Sequence, residues 1–333
     1  MLKQGPSLLL ASAPAALPTL QPASPLAAPI TTLTYVTLGL GLAIFALVTG
    51  LTFYFVWRYR HRGAEGEPPQ IFGNARDEVV WMLMAGGILV FLFILTWITM
   101  NRIDPQAGQD GTPDVIVTGH QWFWEASYPR ATNPAGLGVV STAGEIHIPT
   151  GKKLLLEVGS ADVIHDFWAP QLARKMDAIP GQGNRLWIQA DKPGTYLGAC
   201  SEFCGAQHAW MRFKVIAQTP QDFQAWLARQ AQQAAPPPPA QAEALAGAAL
   251  FVRQGCGECH TLRGVGARGT VGPDLTHFAS RGIIAGGVLD NTPDNLRRWL
   301  HNPQAVKPGV RMPNYRLNDA QLRQLTAYLE TLQ

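Results

Sequence analysis

The amino-acid sequence predicts a multi-domain chain that has a transmembrane helix hairpin, then a β-sandwich, then a small all-α domain. Two long apolar stretches, a central region of short β-branched and aromatic runs, and a C-terminal region with helical apolar spacing support this prediction. At 333 residues the chain is long enough for two soluble domains beside a membrane anchor. Its formal net charge of +3 is small and its basic residues form no long run, which excludes a nucleic-acid-binding protein.

The N-terminal segment, residues 1–31, is rich in Ala, Pro, Leu and Ser. It has one cation, Lys3, and a short apolar patch at Leu8–Leu10 that Pro14 and Pro18 interrupt. This composition is compatible with a weak signal peptide and equally with a lead-in that has no regular structure. Both alternatives stay open.

The transmembrane hairpin is predicted over residues 32–103. Leu33–Trp57 and Val79–Met100 are apolar and uncharged. Each is long enough for the roughly 20 residues that a membrane-spanning helix needs. A buried helix of a soluble protein would normally show a polar face, so we expect both stretches to span a membrane.

The orientation of this hairpin follows from the positions of its basic residues. The loop between the two stretches contains four arginines: Arg58, Arg60, Arg62 and Arg76. The outer flanks have only Lys3 and Arg102 nearby, so the positive-inside tendency places the loop in the cytoplasm. We therefore expect a multi-pass protein of a bacterial plasma membrane, with its soluble domains on the periplasmic or external side.

The first soluble domain is predicted over residues 104–230. Gly, Pro, Asn and Asp separate its seven expected strands, as in an all-β sandwich. These strands are Val115–Val117, Gln121–Ala126, Glu145–Ile148, Lys153–Val158, Arg185–Gln189, Thr195–Ala199 and Met211–Ala217. A helix is predicted to follow, because Thr219 is a good N-cap and Pro220 suits the first helical position.

A linker and a second soluble domain are predicted to complete the chain. Residues 231–243 are Pro, Ala and Gln-rich, a composition that favours an extended, semi-rigid spacer. Residues 244–333 have helical apolar spacing in three segments, so this domain is expected to be all-α. The helices are expected at Ala244–Gln254, Thr292–His301 and Asn318–Leu332.

All four cysteines lie in two short pairs, which indicates cofactor chemistry. Cys200 and Cys204 occur within twelve residues of His208 and Met211. Soft sulfur ligands together with imidazole favour copper. A disulfide and a zinc site with one more histidine stay open, although the thioether of Met211 argues against zinc.

The second pair forms the sequence Cys256-Gly-Glu-Cys259-His260, the signature for covalent attachment of a c-type haem. In this signature the two thiols bind the haem vinyl groups and the histidine is an axial ligand of the iron. Met312 is the only methionine after Met211 and is the expected second axial ligand. His277 and His301 are the alternatives.

Four separated motifs precede or include the first cysteine pair: Gly119-His-Gln-Trp-Phe-Trp124, Asp162-Val-Ile-His165, Lys175-Met-Asp-Ala-Ile-Pro-Gly181 and Cys200–Met211. Together they resemble subunit II of cytochrome c oxidases, the haem–copper oxidases that have a binuclear copper centre called CuA. The resemblance covers residues 32–227, and residues 244–333, with Gly272-Pro-Asp-Leu275 and an amphipathic C-terminal helix, resemble class I cytochromes c. This implies a cupredoxin-like Greek-key β-sandwich joined to a class I cytochrome c domain.

The resemblance also implies a role for individual residues. Cys200 and Cys204 would bridge the two coppers, His165 and Met211 would complete one copper, and His208 and the Glu202 carbonyl the other. The Glu202 carboxylate would help to hold a magnesium ion at the contact with subunit I. No spacing argument gives these roles, which come from the family alone.

Three further assignments have simpler alternatives. The resemblance places Trp122 where electrons enter, whereas strand alternation alone favours ordinary packing of an aromatic side chain. Glu78 matches a carboxylate that opens a proton pathway, but it is equally compatible with a residue of the headgroup region. His120 and His147 lie outside both clusters and are expected to be structural or exposed.

The resemblance implies a subunit of a terminal respiratory oxidase. Electrons would enter at a covalent haem c, pass to the copper pair and then to a haem of subunit I, where oxygen is reduced to water with proton translocation. The donor would be a cytochrome c or a quinol-oxidising complex. A copper-delivery or thiol-redox protein is a second hypothesis, and a quinol-oxidase subunit II would lack the copper ligands that this chain has.

Overall fold

The computed structural model describes residues 16–60, 70, 73–104, 110–131 and 139–333. The apolar patch Leu8–Leu10 and the cations Lys3 and Arg62 lie outside the described residues. The weak signal peptide therefore stays a prediction.

The two long apolar stretches form helices α1 (Ala28–Arg58) and α2 (Ala75–Ile103). Both are long and apolar enough to cross a membrane, and most of their large apolar side chains are exposed. Both helices extend beyond the predicted limits. Pro29 lies in the first turn of α1, and the Asn74 side chain caps α2 by accepting from the amide of Arg76.

The central domain is a sandwich of two five-stranded sheets. Its strands are β1 (Val115–His120), β2 (Phe123–Tyr128), β3 (Val140–Ala143), β4 (Glu145–Pro149), β5 (Leu154–Ser160), β6 (His165–Trp168), β7 (Met176–Ala178), β8 (Asn184–Ile188), β9 (Gly194–Cys200) and β10 (Arg212–Gln218). One sheet has the order β3-β2-β1-β5-β8 and the other β4-β10-β9-β6-β7. Trp124, Phe167 and Phe213 pack between them with ring centroids 4.7–5.7 Å apart.

Three of these strands, β3, β6 and β7, have no counterpart among the seven that the sequence predicts, because each is only three or four residues long. The predicted second strand begins too early. Residues His120 and Phe123 pair across a two-residue hairpin, so Gln121 and Trp122 form its turn. Trp122 is therefore a turn residue next to the end of the sandwich and not a strand residue.

Helix α3 (Pro220–Gln230) closes the sandwich, with Thr219 as its N-cap as predicted. Its Trp226 ring stacks on His147 with centroids 4.0 Å apart. After it, the amide of Ala234 donates to the carbonyl of Arg263. Part of the Pro-rich segment is therefore bound along the surface of the last domain.

The C-terminal domain consists mainly of helices, with two two-residue β-ladders. The helices are α4 (Ala242–Arg253), α5 (Cys256–Cys259), α6 (Pro293–His301), α7 (Pro303–Val306) and α8 (Asp319–Leu329). Thr292 and Asn318 cap α6 and α8 as the sequence predicts. Helix α4 crosses α8 at Gly247, where an added Cβ would lie 2.0 Å from the carbonyl oxygen of Gln324, so only glycine permits this approach.

Candidate metal centres

The first cysteine pair lies on a loop that the sheet holds closed. Strand β9 ends at Cys200, whose amide donates to the carbonyl of Met211 at 3.0 Å just before β10 begins. The ladder between β9 and β10 therefore brings the two ends of the loop together. A 3₁₀ turn at His208–Trp210 directs the end of the loop back toward its start.

The side chains of five residues meet at this loop. The Cys200 Sγ atom lies 3.7 Å from Cys204 Sγ and 3.9 Å from His165 Nδ1. The Cys204 Sγ atom lies 3.7 Å from His208 Nδ1 and 3.8 Å from Met211 Sδ. His165 comes from β6, which pairs with β9. Four of the five side chains are buried, with Met211 and His165 0% exposed, and His208 is partly exposed.

A main-chain oxygen completes this set of donor atoms. The carbonyl oxygen of Glu202 lies 3.2 Å from Cys200 Sγ. Two thiols, two imidazoles, one thioether and one carbonyl form a donor set that suits copper and is too soft for magnesium or calcium. The two sulfurs are too far apart for a disulfide, whose bond is about 2.05 Å long, and both cysteines are free thiols.

Hydrogen bonding fixes the orientation of the His165 ring. Its Nε2 lies 2.9 Å from Asp162 Oδ1, and because a carboxylate accepts, Nε2 carries the proton. The lone pair is then on Nδ1, which faces the sulfurs. Burial alone would raise the pKa of Asp162, but hydrogen bonds from His165 and from the amides of Gln121 and Val163 lower it below its usual range.

The two thiols interact strongly with each other. The hydrogen bond from Cys204 lowers the pKa of the Cys200 thiol well below its usual range, against the effect of burial, and His165 adds to this shift. Sharing the proton raises the pKa of Cys204. The pair therefore favours a thiolate at Cys200, which is the form that binds a metal.

Trp122 joins the same loop from outside the cluster. Its indole Nε1 donates to the carbonyl of Cys204 at 3.0 Å, and the side chain of Gln121 donates to the same oxygen at 2.9 Å. The hairpin turn is therefore bonded to the main chain of one of the two clustered cysteines.

The second cysteine pair borders a cavity in the C-terminal domain. Cys256, Cys259, His260 and Met312 all line it, and most of the remaining wall is apolar. His260 Nδ1 donates to the carbonyl of Pro273 at 2.8 Å, which leaves Nε2 as the acceptor nitrogen. Two thiols, an imidazole and a thioether around an apolar cavity fit a haem.

The protonation state and the loop geometry at this cavity agree with such a group. Burial lowers the pKa of His260, so its ring is neutral at pH 7. The Gln304 side chain donates to the carbonyl oxygens of Val310 and Met312, which fixes the Met312 loop against the cavity. His277 does not line the cavity, because its two ring nitrogens contact the carbonyls of Gln333 and Gln232.

The central domain forms part of the same cavity wall. His120, Trp122 and Phe123 line it from the β1–β2 hairpin, opposite the C-terminal domain. His120 stacks on Phe123 with centroids 4.4 Å apart. The two soluble domains are therefore in contact at this cavity, with Trp122 between it and the Cys204 carbonyl.

Two protein families match this chain. "Cytochrome C oxidase subunit II, periplasmic domain" matches residues 114–218, and "Cytochrome c" matches residues 244–333. Cytochrome c oxidase subunit 2 of Alkalihalophilus pseudofirmus is 34% identical, with 88% of this chain and 85% of that protein covered. The chain belongs to the cytochrome c oxidase subunit II family. The same subunit of Bacillus sp. (strain PS3) is 31% identical, with 82% of this chain and 79% of that protein covered.

A solved structure is also similar. The periplasmic domain of subunit II of cytochrome oxidase from Bradyrhizobium japonicum is 34% identical, with a TM-score of 0.31, and covers 36% of this chain and 95% of that chain.

Membership of the subunit II family identifies the cofactors and the setting. The periplasmic domain of this family implies a CuA copper centre, and the cytochrome c domain implies a haem. The chain is a component of an oxidoreductase complex, and with its two apolar helices it is a membrane protein with a periplasmic domain.

Two predicted functional carboxylates lie away from both sites. Glu78 is exposed in the first turn of α2, where a negative charge also favours the helix N-terminus. The Glu202 side chain is exposed. Among the described residues, the one group of potential metal-binding side chains is His165, Cys200 and Cys204, and it does not include Glu202.

Sequence reasoning missed several residues that orient this subunit's sites. Asp162 and Gln121 lie inside quoted motifs, but only the structure shows that they bond His165 and the Cys204 carbonyl. A carboxylate three residues before a proposed histidine ligand was the available signal for Asp162. Nothing in the sequence placed His120 at the cavity of the C-terminal domain.

Proposed function

We propose that this chain conducts electrons within a terminal cytochrome c oxidase, from a covalently bound haem c to a CuA centre and on to the haem of subunit I. One observation carries the proposal: Trp122 lines the haem cavity and its indole donates to the carbonyl of Cys204. A continuous protein route therefore joins the two sites. Both cofactors supply one-electron redox chemistry when bound.

The copper ligands are assigned on the family resemblance, and the convergence of their atoms supports this assignment. Cys200 and Cys204 would hold both coppers, His165 and Met211 would bind one of them, and His208 and the Glu202 carbonyl would bind the other. Each terminal donor lies within 3.9 Å of one of the two sulfurs. Strand β6 and the loop between β9 and β10 hold these side chains in place.

The haem ligands are assigned in the same way. Cys256 and Cys259 would attach the haem through their sulfurs, and His260 and Met312 would bind its iron. The Pro273 carbonyl orients the imidazole by accepting from Nδ1, and Gln304 orients the methionine loop. Ligation by histidine and methionine raises the potential of a haem, which suits a donor to copper.

The surroundings of the chain are proposed on the family and the helices together. Helices α1 and α2 cross a bacterial plasma membrane as a multi-pass anchor, with the soluble domains on the periplasmic side. Subunit I and other oxidase subunits bind the chain, and subunit I reduces oxygen to water with proton translocation. A cytochrome c or a quinol-oxidising complex delivers the electrons. Magnesium at Glu202 and a proton pathway at Glu78 remain predictions from the family resemblance alone.

Metal and haem analysis of paired variants tests this function. Cys204→Ala removes one of the two bridging sulfurs, so the purified chain is expected to lose both coppers while keeping its haem. Ser201→Ala, in the same loop, is the matched control and is expected to keep both. Full cytochrome-driven oxygen consumption by Cys204→Ala would overturn the copper assignment.

The haem ligand is tested separately. Met312→Ala is expected to leave the haem attached, because the two thioether bonds remain, while electron transfer to copper slows and the haem potential falls. Met176→Ala, a partly buried methionine outside the cavity, is the control. A Met312→Ala haem with an unchanged spectrum and potential would show that another residue is the sixth ligand.

The copper-delivery hypothesis makes a different prediction. A delivery protein needs a labile site and no haem, so it would hold a single copper that a chelator removes quickly. The mostly buried five-side-chain cluster and the adjoining haem cavity favour the electron-transfer function.

A further inference from the structure

Lys307 is the only buried lysine in the part of the chain that the structure describes, with 1% of its surface exposed. It is also the only lysine of residues 244–333. Lysine is almost never fully buried unless its charge is paired. No role in haem or copper binding requires it, so its position needs another explanation.

The ammonium group of Lys307 bonds the main chain of both soluble domains. Its Nζ donates to the carbonyl oxygens of Trp122 at 2.7 Å and Ala285 at 3.0 Å, and lies 3.5 Å from that of Trp210. An ammonium has three donors, and three carbonyls surround it. Two of the three, those of Trp122 and Trp210, belong to the central domain. The lysine therefore connects the end of α7 to the β1–β2 turn and to the loop between β9 and β10.

The surrounding interface is closely packed around this contact. An added Cβ at Gly286 would lie 2.4 Å from the Trp122 carbonyl and 2.7 Å from Lys307 Nζ, and its φ of +67° also favours glycine. The Gly286 carbonyl accepts from the amide of Arg212, and the Gln207 side chain donates to the carbonyl of Pro308. Lys307 lies at the centre of these contacts.

Other charged groups also bond across the interface: the Arg263 guanidinium donates to the Gln230 carbonyl at 2.7 Å, and the Glu145 carboxylate accepts from the Gly282 amide at 2.8 Å. Arg311 lies 3.3 Å from Asp162, but its side chain is 58% exposed, and such a pair contributes little in water. Burial lowers the pKa of Lys307 to about 7. Without the carbonyl oxygens as acceptors, the buried Nζ of Lys307 would have lost its water and gained no hydrogen bonds. The lysine can therefore be buried only while these hydrogen bonds are made.

We propose that Lys307 is a positioning residue whose hydrogen bonds clasp the C-terminal haem domain onto the turn at Gln121 and Trp122. This contact, called the clasp below, keeps the haem cavity next to Trp122, through which electrons would pass to copper. This inference rests on the proposed function, because the docking of the two domains affects activity only if electrons pass from the haem to the copper centre. Lys307 acts through the main chain of Trp122; its side chain also borders the haem cavity, but it is not one of the proposed ligands. The interface it closes is between two domains of one chain, so no partner protein is required.

The first test uses the unmodified full-length chain with its copper and haem in detergent. A small amine-reactive reagent is added, and modification of each lysine is followed by mass spectrometry. Lys192, which is exposed, is the internal reference. The clasp predicts that Lys307 reacts at least about tenfold more slowly than Lys192. Equal rates would overturn the clasp, whatever the cofactor content, whereas a missing copper or haem would instead overturn the proposed function.

The second test compares Lys307→Met with Lys192→Met, which makes the same chemical change at an exposed site. Loss of the clasp is expected to speed hydrogen exchange of the Arg212 amide about tenfold, because that amide donates across the interface to Gly286. Electron transfer from haem to copper is expected to slow by a similar factor, with both absorption spectra unchanged. Lys192→Met should change neither quantity. Unchanged exchange and an unchanged transfer rate in Lys307→Met would refute the clasp.

Discussion

The carbonyl of Cys204 offers a quantitative test of how the Trp122 turn is bonded to the copper loop. This oxygen accepts from two side chains, the indole of Trp122 at 3.0 Å and the amide of Gln121 at 2.9 Å. Trp122→Phe removes the first donor, and Gln121→Leu removes the second with little change in volume. Each single variant leaves the oxygen with one donor, and the double variant leaves it with none.

The expected magnitudes follow from this count. Each single substitution loses a hydrogen bond worth about 0.5–1.5 kcal/mol, and Trp122→Phe also loses part of a ring. The double variant leaves a carbonyl of a residue that is only 3% exposed without a partner, which costs about 1–3 kcal/mol more. The two substitutions should therefore be more than additive by about 1–2 kcal/mol.

The assay is a guanidinium titration of the full chain followed by the visible absorbance of the copper centre. Comparing the four proteins as a double-mutant cycle cancels the effect of the smaller ring, because it appears in both halves of the cycle. Additivity within about 0.3 kcal/mol would refute the shared-acceptor geometry.

The two single variants also distinguish the effect of a lost hydrogen bond to the Cys204 carbonyl from the effect of a lost indole ring on electron transfer. Flash reduction of the haem, followed by the absorbance of haem and copper, gives the transfer rate in each protein. Trp122→Phe is expected to slow the transfer, whereas Gln121→Leu is expected to leave it nearly unchanged, since the amide has no aromatic system. Equal slowing in both variants would contradict a route through the Trp122 ring.

Two further substitutions test the support around the sites. Asp162→Asn replaces one carboxylate oxygen by an amide NH₂, so either His165 or the Gln121 amide loses its acceptor. Copper affinity measured by chelator competition should then fall about 10–100-fold. Unchanged affinity would show that Asp162 does not orient the His165 ligand. Gly247→Ala places a Cβ 2.0 Å from the carbonyl oxygen of Gln324, so the α4–α8 crossing must open and thermal unfolding of the haem domain should shift to lower temperature. A higher melting temperature would mean that helix propensity outweighs the overlap.

Hydrophobic patterns predicted the architecture well because they are local signals. The two uncharged stretches gave both helices of the hairpin, and turn residues separated most of the strands. The short strand β6 escaped prediction, since Asp166 interrupts its apolar residues. This strand brings His165 to the cysteines. The sequence could therefore identify His165 as a ligand only through the family resemblance.

The interface between the domains could not be predicted from either motif. Both cysteine clusters are recognisable because their ligands are a few residues apart, whereas Lys307 and Trp122 are separated by 185 residues. A lysine before Pro308 looks like an ordinary surface cation in the sequence. Only the fold shows that three carbonyls surround it.

The position of Trp122 has a consequence for how electrons reach the copper. Its side chain is only 9% exposed, because the Gly309 loop and the clasp at Lys307 cover the turn. A mobile donor therefore cannot reach this ring while the domains are docked. On the proposed function, an external donor must deliver its electron to the haem domain, and the step to copper becomes independent of the donor concentration. On the same proposal, the contact between the two fused domains takes the place of a collision with a mobile donor.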